Sequence, residues 1–261
     1  MRAFYQRNGL FKSVVRSATF FALAIRSLFY RLWGQDFVPS RYGVDMSANW
    51  DDATFNLCIN ATYGYSLSDL LLAENTEFTF WDIGSNQGLY SLVAAKNSQC
   101  KAVVAFEPVS QTFDLLRANV ERNGFSEKVS LVNAAISSNR GSAEISLKDK
   151  HSGAASIRGV DDDLGVTEII KTINAKDLDD FDVMDRKIII KVDVEGHEQT
   201  VIEELVKSRH SDRIASIFYE IDERWADVDA IEQLLRTAKF SQFEKVGSGH
   251  HYDILASRPD I

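Results

Sequence analysis

The stretch FWDIGSNQGLYS, residues 80–91, places an acidic residue and a glycine-rich turn directly after an apolar run. The run predicts a buried strand, and LYSLVAAKN after the turn predicts a helix. Gly84 and Gly88 lack side chains, so the backbone can turn tightly there or approach a ligand. The free N–H groups at the start of the helix point toward the same place. The stretch therefore predicts a ligand site at the end of a strand, with Asp82 beside it.

The charge of Asp82 limits what this turn can bind. A carboxylate repels phosphate, and the stretch has neither a P-loop lysine nor the GxGxxG spacing of dinucleotide sites. An ammonium group is a favourable partner for a carboxylate. S-adenosylmethionine carries an ammonium, a carboxylate and a sulfonium group, which makes it a candidate ligand. A plain strand-to-helix turn is the alternative.

From residue 78 onward, apolar strands alternate with amphipathic helices. The strands FTFWDI, KAVVAF, KIIIKVDV and IASIFYEI predict an α/β fold with a mostly parallel sheet. FSQFEKV and HYDILAS predict an antiparallel pair that closes it, and SNRG, residues 138–141, predicts a hairpin turn. In such sheets ligands bind beyond the carboxyl ends of the strands.

Polar side chains follow the next two strands. Glu107 ends KAVVAF, 25 residues after Asp82, where a carboxylate can accept both hydroxyls of a ribose. This position alone does not separate an adenosylmethionine site from a dinucleotide site. Asn133 and Ala134 end the third strand and are expected beside an adenine ring, with a simple strand end as the alternative.

The segment KVDVEGHE brings titratable groups to the same edge of the sheet. Asp193, Glu195 and His197 are the candidate catalytic residues, because an imidazole or a carboxylate can take a proton or orient a hydroxyl. No metal site is predicted, although a divalent cation held by Asp193 and Glu220 is a lower-ranked alternative. His250 and His251 are secondary candidates, and as strand neighbours they point to opposite faces. No nucleophile elbow is present.

Charge is unevenly distributed along the 261 residues. Residues 1–45 carry seven Lys and Arg against two Asp, a net charge of +5, and residues 46–261 carry a net charge of −14. The acidic body excludes a broad nucleic-acid surface. We therefore divide the chain into a basic helical leader, residues 1–45, and a ligand-binding domain, residues 46–261.

Residues 11–33, FKSVVRSATFFALAIRSLFYRLW, predict a basic amphipathic helix within the leader. The longest uncharged run is nine residues, whereas spanning a bilayer takes about 20. The helix is expected to dock on an anionic membrane surface or a partner protein. The alternatives are that its apolar stripe packs on its own domain, or that the segment is a signal peptide.

The two cysteines, Cys58 and Cys100, have no CxxC spacing, so a reduced, cytoplasmic setting is predicted, at the inner face of a membrane if the helix docks there. Residues 151–172 show little periodicity. They predict a lid or substrate loop, with an ordinary surface loop as the alternative.

Together these strings resemble the FkbM family of S-adenosylmethionine-dependent methyltransferases. The matching strings are FWDIGSNQGLYSLVAA, AFEPVSQTFDLLRANVERNG, VNAAIS and IIIKVDVEGHEQTVI, within roughly residues 78–257. The resemblance implies a Rossmann-like class I methyltransferase fold, with a mostly parallel seven-stranded sheet and an antiparallel last strand. It implies methyl transfer from S-adenosyl-L-methionine to an oxygen of a small-molecule or glycan acceptor, such as a sugar or natural product.

The resemblance also implies roles for single residues. The residues that would hold the methionine part of the cofactor are Asp82, Gly84, Ser85, Asn86 and Gly88. Glu107 would hold the ribose, Asn133 and Ala134 would face the adenine, and Asp193 would stand nearest the transferred methyl. Family members more often have Ala where Ser85 stands, a departure that leaves the site intact.

Two other functions fit parts of the sequence. A nucleotide-cofactor oxidoreductase would explain the fold and Glu107, but not Asp82 beside the glycine turn. A non-catalytic methyltransferase-like scaffold, tethered by its leader to a membrane-bound biosynthetic assembly, would explain the leader but not the intact cofactor motifs.

Overall fold

The structure is a computed structural model that describes residues 23–61, 64–147, 152, 166–184 and 186–259. The helices are α1 (23–33), α2 (Ala53–Asn60), α3 (Tyr65–Ala73), α4 (Leu89–Lys96), α5 (Ser110–Arg122), α6 (Ala175–Leu178), α7 (Glu198–Lys207) and α8 (Val228–Thr237). The strands are β1 (Phe37–Pro39), β2 (Asp45–Ser47), β3 (Phe78–Ile83), β4 (Cys100–Phe106), β5 (Val129–Val132), β6 (Ala135–Ile136), β7 (Gly141–Leu147), β8 (Val166–Ile173), β9 (Lys187–Val192), β10 (Ile214–Asp222), β11 (Gln242–Gly247) and β12 (His251–Ser257).

Seven strands form the central sheet, in the order β11-β12-β10-β9-β3-β4-β5. The strands from β10 to β5 are parallel, and β12 is antiparallel to both of its neighbours. This confirms the predicted α/β fold, its mostly parallel seven-stranded sheet and its antiparallel last strand. The central strands β3 and β9 are buried over almost their whole length, as a sheet covered on both faces requires.

Alternate residues of the central strands pack on opposite faces of the sheet. Trp81 and Ile83 of β3 belong to the core beneath α7 and α8, and Phe78 and Phe80 belong to the core beneath α4 and α5. The period of two in a strand explains why an unbroken apolar run is needed to fill both cores.

The sheet has a topological switch point between β3 and β9. The chain runs outward from β3 to β5, returns to β9 beside β3, and continues to β10 on the other side. Ile83 and Val192 are register partners at the carboxyl ends of the two strands. The turn after β3 and the segment after β9 therefore face each other where α/β sheets bind their ligands.

A second sheet has three strands, in the order β6-β8-β7. β8 lies between the other two, parallel to β6 and antiparallel to β7. The predicted hairpin at residues 138–141 is therefore wrong, because β7 pairs with β8 and not with the strand that precedes the turn. Residues 166–172 of the predicted loop belong to β8. Of the rest of that loop the structure describes Ser152 alone, so the predicted lid falls outside the described residues.

The helix α1 packs on the rest of the described chain through its polar side. Arg26 donates to the carbonyl oxygens of Ile59, at 3.2 Å, and of Pro39, and Asn60 Nδ2 donates to Ser27 Oγ at 3.3 Å. The apolar stripe faces solvent instead, with between 49% and 78% of each residue exposed at Ile25, Leu28, Phe29, Leu32 and Trp33. Residues 11–22 of the predicted helix lie outside the described residues. Among the described helices, none combines the length and apolar character needed to cross a membrane.

The predicted boundary at residue 45 falls inside β2. β1 and β2 pair across it, and Val38, Val44 and Met46 belong to the same core as Phe80. The division of the chain into a leader and a domain stays a prediction.

Candidate active site

The turn after β3 depends on backbone geometry that glycine permits. Gly84 has φ +71° and Gly88 has φ +87°, both in the left-handed region. A Cβ on Gly84 would lie 1.9 Å from the carbonyl oxygen of Asp193, and a Cβ on Gly88 would lie 2.4 Å from Leu116 Cδ1. The turn therefore packs directly against the segment that follows β9.

Ser85 and Asn86 tie this turn to the end of β4. The N–H and Oγ of Ser85 donate to the carbonyl oxygen of Phe106 at 2.9 and 3.2 Å. Asn86, with φ +49°, donates its N–H to Glu107 Oε2 at 2.9 Å. Gln87, which the sequence did not single out, is buried in the same turn, and its Oε1 accepts no hydrogen bond from the described residues.

The side chain of Asp82 is fully buried at the end of β3. Its Oδ2 accepts hydrogen bonds from the N–H and Oγ of Ser91, at 2.9 and 2.6 Å. Its Oδ1 lies 3.8 Å from Lys191 Nζ and accepts no hydrogen bond from the described residues. Burial raises the pKa of Asp82, and this outweighs the lowering by Lys191 and Ser91. Asp82 thus fixes the first turn of α4 and keeps one acceptor oxygen unused.

Lys191, on β9, is a buried cation that sequence reasoning missed. Its Nζ donates to the carbonyl oxygen of Gly84 at 2.6 Å and lies 3.3 Å from Asp193 Oδ2. Burial alone would lower the pKa of Lys191, but the carboxylates of Asp193 and Asp82 raise it above its usual value. The signal that could have found it is the lysine that interrupts the apolar run IIIKV, residues 188–192.

Glu107 lies directly after β4 and is buried. Its Oε1 accepts from the N–H of Val109 and its Oε2 from the N–H of Asn86, both at 2.9 Å. Burial raises the pKa of Glu107 to about 7, although these two N–H groups lower it. Because each carboxylate oxygen has a second lone pair, Glu107 can accept two further hydrogen bonds from neighbouring hydroxyls.

Asn133 and Ala134 follow β5. Asn133 Nδ2 donates to the carbonyl oxygens of Glu107 and Pro108, at 2.9 and 3.0 Å, so it braces the loop after β4. Ala134 is buried and lines the cavity described next. Asn133 therefore supports the loop after β4, whereas Ala134 forms part of the cavity wall.

A cavity of about 290 Å³ joins these elements, close to the lower end of the range for small-molecule sites. On the β4 and β5 side its wall is apolar: Phe106, Val109, Ala134, Ile136 and Ile145. On the β9 and β10 side its wall is polar: Lys191, Asp193, Glu195, His197, Glu220 and His251. The glycine turn and Glu107 lie between the two.

This lining fits S-adenosyl-L-methionine. An apolar wall accepts a flat base, and the spare lone pairs of Glu107 accept two ribose hydroxyls. The carboxylates on the β9 and β10 side suit a ligand that carries ammonium and sulfonium charges, whereas Asp82 is fully buried behind the turn and does not line the cavity.

Three carboxylates meet on the polar side. Asp193, Glu195 and Glu220 each place an oxygen within 4.8 Å of the others. Burial first, and then neighbouring carboxylates, raises the pKa of Glu195 to about 7 and of Glu220 to about 9. Such a cluster holds protons readily, and by itself it does not establish a metal site.

His197 immediately precedes α7, and its Nε2 lies 3.2 Å from Ser137 Oγ. It lines the cavity together with Asp193 and Glu195. The structure therefore brings the three predicted catalytic residues to one side of the cavity. Their roles, like those of the predicted cofactor residues, stay predictions.

Comparison with known proteins identifies relatives. The family model described as Methyltransferase FkbM domain matches residues 82–241, more than half of the chain. The curated hexuronic acid methyltransferase AglP of Haloferax volcanii is 32% identical over 175 residues, which are 66% of this chain and 67% of that protein.

Two solved structures illustrate the more distant similarity. The METTL16 methyltransferase domain is 12% identical with a TM-score of 0.49, over 90% of this chain and 91% of that chain. The precorrin-6y C5,15-methyltransferase of Geobacter metallireducens GS-15 is 15% identical with a TM-score of 0.44, over 74% of this chain and 87% of that chain. On the family match and the curated relative, the chain belongs to the FkbM methyltransferase family and is an enzyme whose methyl donor is S-adenosyl-L-methionine.

Proposed function

We propose that this enzyme transfers a methyl group to a hydroxyl oxygen of a sugar, with a hexuronic acid residue as the first candidate acceptor. The observation that carries the proposal is the 32% identity to a relative named for hexuronic acid methylation. The polar side of the cavity supports it, because carboxylate and imidazole groups can bind a hydroxyl and take its proton.

We assign the cofactor's parts to the elements that line the cavity. The cofactor supplies a methyl group activated on sulfur. The adenine is assigned to the apolar wall with Ala134, which Asn133 supports by bracing the loop after β4. The ribose is assigned to Glu107. The methionine part is assigned to the turn, with its residues Gly84, Ser85, Asn86 and Gly88 and with Asp82 behind it.

The chain itself contributes alignment and proton removal. Well-oriented reactants gain about 7–11 kcal/mol of barrier lowering. A sugar hydroxyl is a weak nucleophile, so a base adds a further factor of about 10²–10⁴. We assign Asp193, Glu195 and His197 to the end of the cavity where the hydroxyl is bound and its proton leaves.

The test separates cofactor binding from turnover. The full chain is titrated calorimetrically with S-adenosylhomocysteine, together with Asp82→Ala and Glu107→Ala, and we expect binding by the wild type that both variants lose. Methyl transfer is then followed by mass spectrometry on a glucuronide and on the matched neutral glucoside. Binding without turnover on any hydroxyl acceptor would favour the scaffold, and binding of NADH instead would favour the oxidoreductase.

We also infer that α1 docks on an anionic membrane surface. Ile25, Leu28, Phe29 and Leu32 follow the i, i+3, i+4, i+7 pattern of one helix face, and all are about half exposed or more. The net charge of +5 over residues 1–45 complements anionic lipids, whereas the body is acidic. Because the cofactor is a cytosolic metabolite, we place the protein in the cytoplasm, at the inner face of the membrane.

A further inference from the structure

A smaller cavity adjoins the cofactor cavity on the β10 side. It is bounded by the start of α7 and by the segment after β10, where Trp225 is 57% exposed. Three side chains line both cavities: Glu195, Glu220 and His251. A methyl donor in the larger cavity and an acceptor in the smaller one would meet at these three residues.

His251 and Glu220 form an imidazole–carboxylate pair at this junction. Glu220 lies on β10 and His251 begins β12, the antiparallel neighbour of β10. His251 Nε2 lies 2.7 Å from Glu220 Oε1, with the carboxyl side chain 13% exposed and the imidazole 60% exposed. The carboxylate therefore lies against the ring from the protein side, and the exposed part of the imidazole lines both cavities.

We propose that the smaller cavity holds the acceptor and that His251, oriented by Glu220, takes the proton from its hydroxyl. The proposal rests on the O-methyl transfer proposed above. The acceptor oxygen forms its bond to the methyl carbon as the methyl–sulfur bond breaks, and that bonding pair stays on sulfur. The hydroxyl proton passes to Nδ1 of His251, while the Glu220 carboxylate, 2.7 Å from Nε2, stabilises the positive charge that the ring acquires.

The other titratable groups on this side are engaged differently. Asp193 is paired with the Lys191 ammonium at 3.3 Å. His197 Nε2 lies 3.2 Å from Ser137 Oγ, and His197 lines the larger cavity but not the smaller one. Glu195 also lines both cavities, so it is the competing base and needs its own variant.

The neighbouring residue supplies a matched control. His250 also pairs with a glutamate, its Nδ1 lying 2.5 Å from Glu223 Oε2, but its side chain is 86% exposed and lines neither cavity. Substituting His250 removes the same kind of imidazole–carboxylate pair without touching the junction.

The pair also predicts a pH dependence. Burial and facing carboxylates raise the pKa of Glu220 to about 9. Glu220 must be ionised to act as the carboxylate partner of His251, so turnover rises as the pH rises from neutral toward 9. The charged groups facing the pair are Lys191, Asp193, Glu195, Glu198, Asp222 and Asp253.

The experiment measures kcat and KM for a glucuronide acceptor across pH, with S-adenosylhomocysteine affinity as a separate readout. We expect His251→Gln to lose about 10²–10⁴-fold in kcat, with cofactor affinity kept and the alkaline rise abolished. Glu220→Gln should lose less in kcat and shift the rise. His250→Gln should match the wild type, and Trp225→Ala should raise KM more than it lowers kcat.

Full turnover by His251→Gln would overturn the proposal, as would a loss confined to Glu195→Gln. A wild type that binds S-adenosylhomocysteine but methylates no hydroxyl acceptor would instead overturn the proposed function, and this inference with it. The two failures are distinguishable because only the second appears in the wild type.

Discussion

The Nζ of Lys191 donates a 2.6 Å hydrogen bond to the carbonyl oxygen of Gly84, and so joins β9 to the turn after β3. The same ammonium lies between the carboxylates of Asp82 and Asp193, at 3.8 and 3.3 Å. One buried cation therefore holds together the two segments that meet at the switch point.

Lys191→Met should destabilise the protein strongly. The substitution keeps an apolar stem but leaves two carboxylates facing each other without a counter-charge, and breaking a buried pair costs about 3–5 kcal/mol. Urea denaturation measures the loss. The matched control is Lys101→Met, which breaks an ion pair with Glu77 of the same 3.3 Å length at the surface. That change should cost about 1 kcal/mol or less, and equal losses would contradict the role of Lys191.

Gly84→Ala should abolish cofactor binding. The new Cβ would lie 1.9 Å from the carbonyl oxygen of Asp193, so either the turn or the segment after β9 must move. Gly124→Ala is the control, because Gly124 has φ +73° against +71° at Gly84 but has no atom of the described residues within 4 Å of its Cβ position. Calorimetric titration with S-adenosylhomocysteine should show loss in the first variant alone, and a Gly84→Ala protein that binds normally would contradict the close packing.

The stability of the ligand-free protein should fall as pH rises from 4.5 to about 7. The pKa of Glu107 is raised in the folded state from 4.5 to about 7 by burial, so over this window the folded state binds more protons than the unfolded state. The stabilising contribution is complete below pH 4.5 and is lost through pH 7. Burial raises the pKa of Glu195 and Asp253 to about 7 in the same sense.

The Glu107→Gln variant isolates the contribution of Glu107 to the pH dependence of stability. The amide does not titrate, so its free energy of unfolding should vary less with pH than that of the wild type. The measurement is denaturant unfolding at a series of pH values across the window. Identical slopes for the two proteins would show that Glu107 titrates alike in the folded and unfolded states.

Leu32→Asp should release the protein from anionic vesicles. Leu32 is 78% exposed on the apolar face of α1, where a carboxylate opposes both insertion and the anionic lipid surface. Sedimentation with phosphatidylglycerol–phosphatidylcholine vesicles measures binding of the full chain. Leu72→Asp is the control, since Leu72 is also exposed, at 48%, but lies on α3. Equal binding by both variants and the wild type would argue against docking through α1.

The central sheet was predictable because its signals are local. An apolar run such as KIIIKV or FTFWDI can be satisfied only by burial on both faces, and this fixes the class of sheet. The three-stranded sheet was not predictable in the same way. β7 pairs with the next strand, β8, and not with the strand before the turn, and a turn signal at residues 138–141 carries no information about which of the two it will pair with.

The types of residue in the site could be predicted from the sequence, but the pairs that their side chains form could not. Asp82 and Glu107 stand at strand ends, as their spacing predicted, and lie close to the cavity. The sequence did not show that Lys191 would neutralise Asp82, because two residues on neighbouring strands meet only once the register is set. The pairing of His251 with Glu220 was hidden for the same reason.

The position of β12 between β10 and β11 also sets an order of events during synthesis. β11 leaves the ribosome first, yet it has no sheet neighbour until β12 follows and inserts beside β10. His251 arrives on that same strand. A nascent chain that ends before β12 would already contain the glycine turn, Glu107 and Ala134, but it would lack His251, the proton acceptor proposed here. Such an unfinished chain would contain the residues assigned to the methyl donor, but not the residue assigned to take the proton from the acceptor.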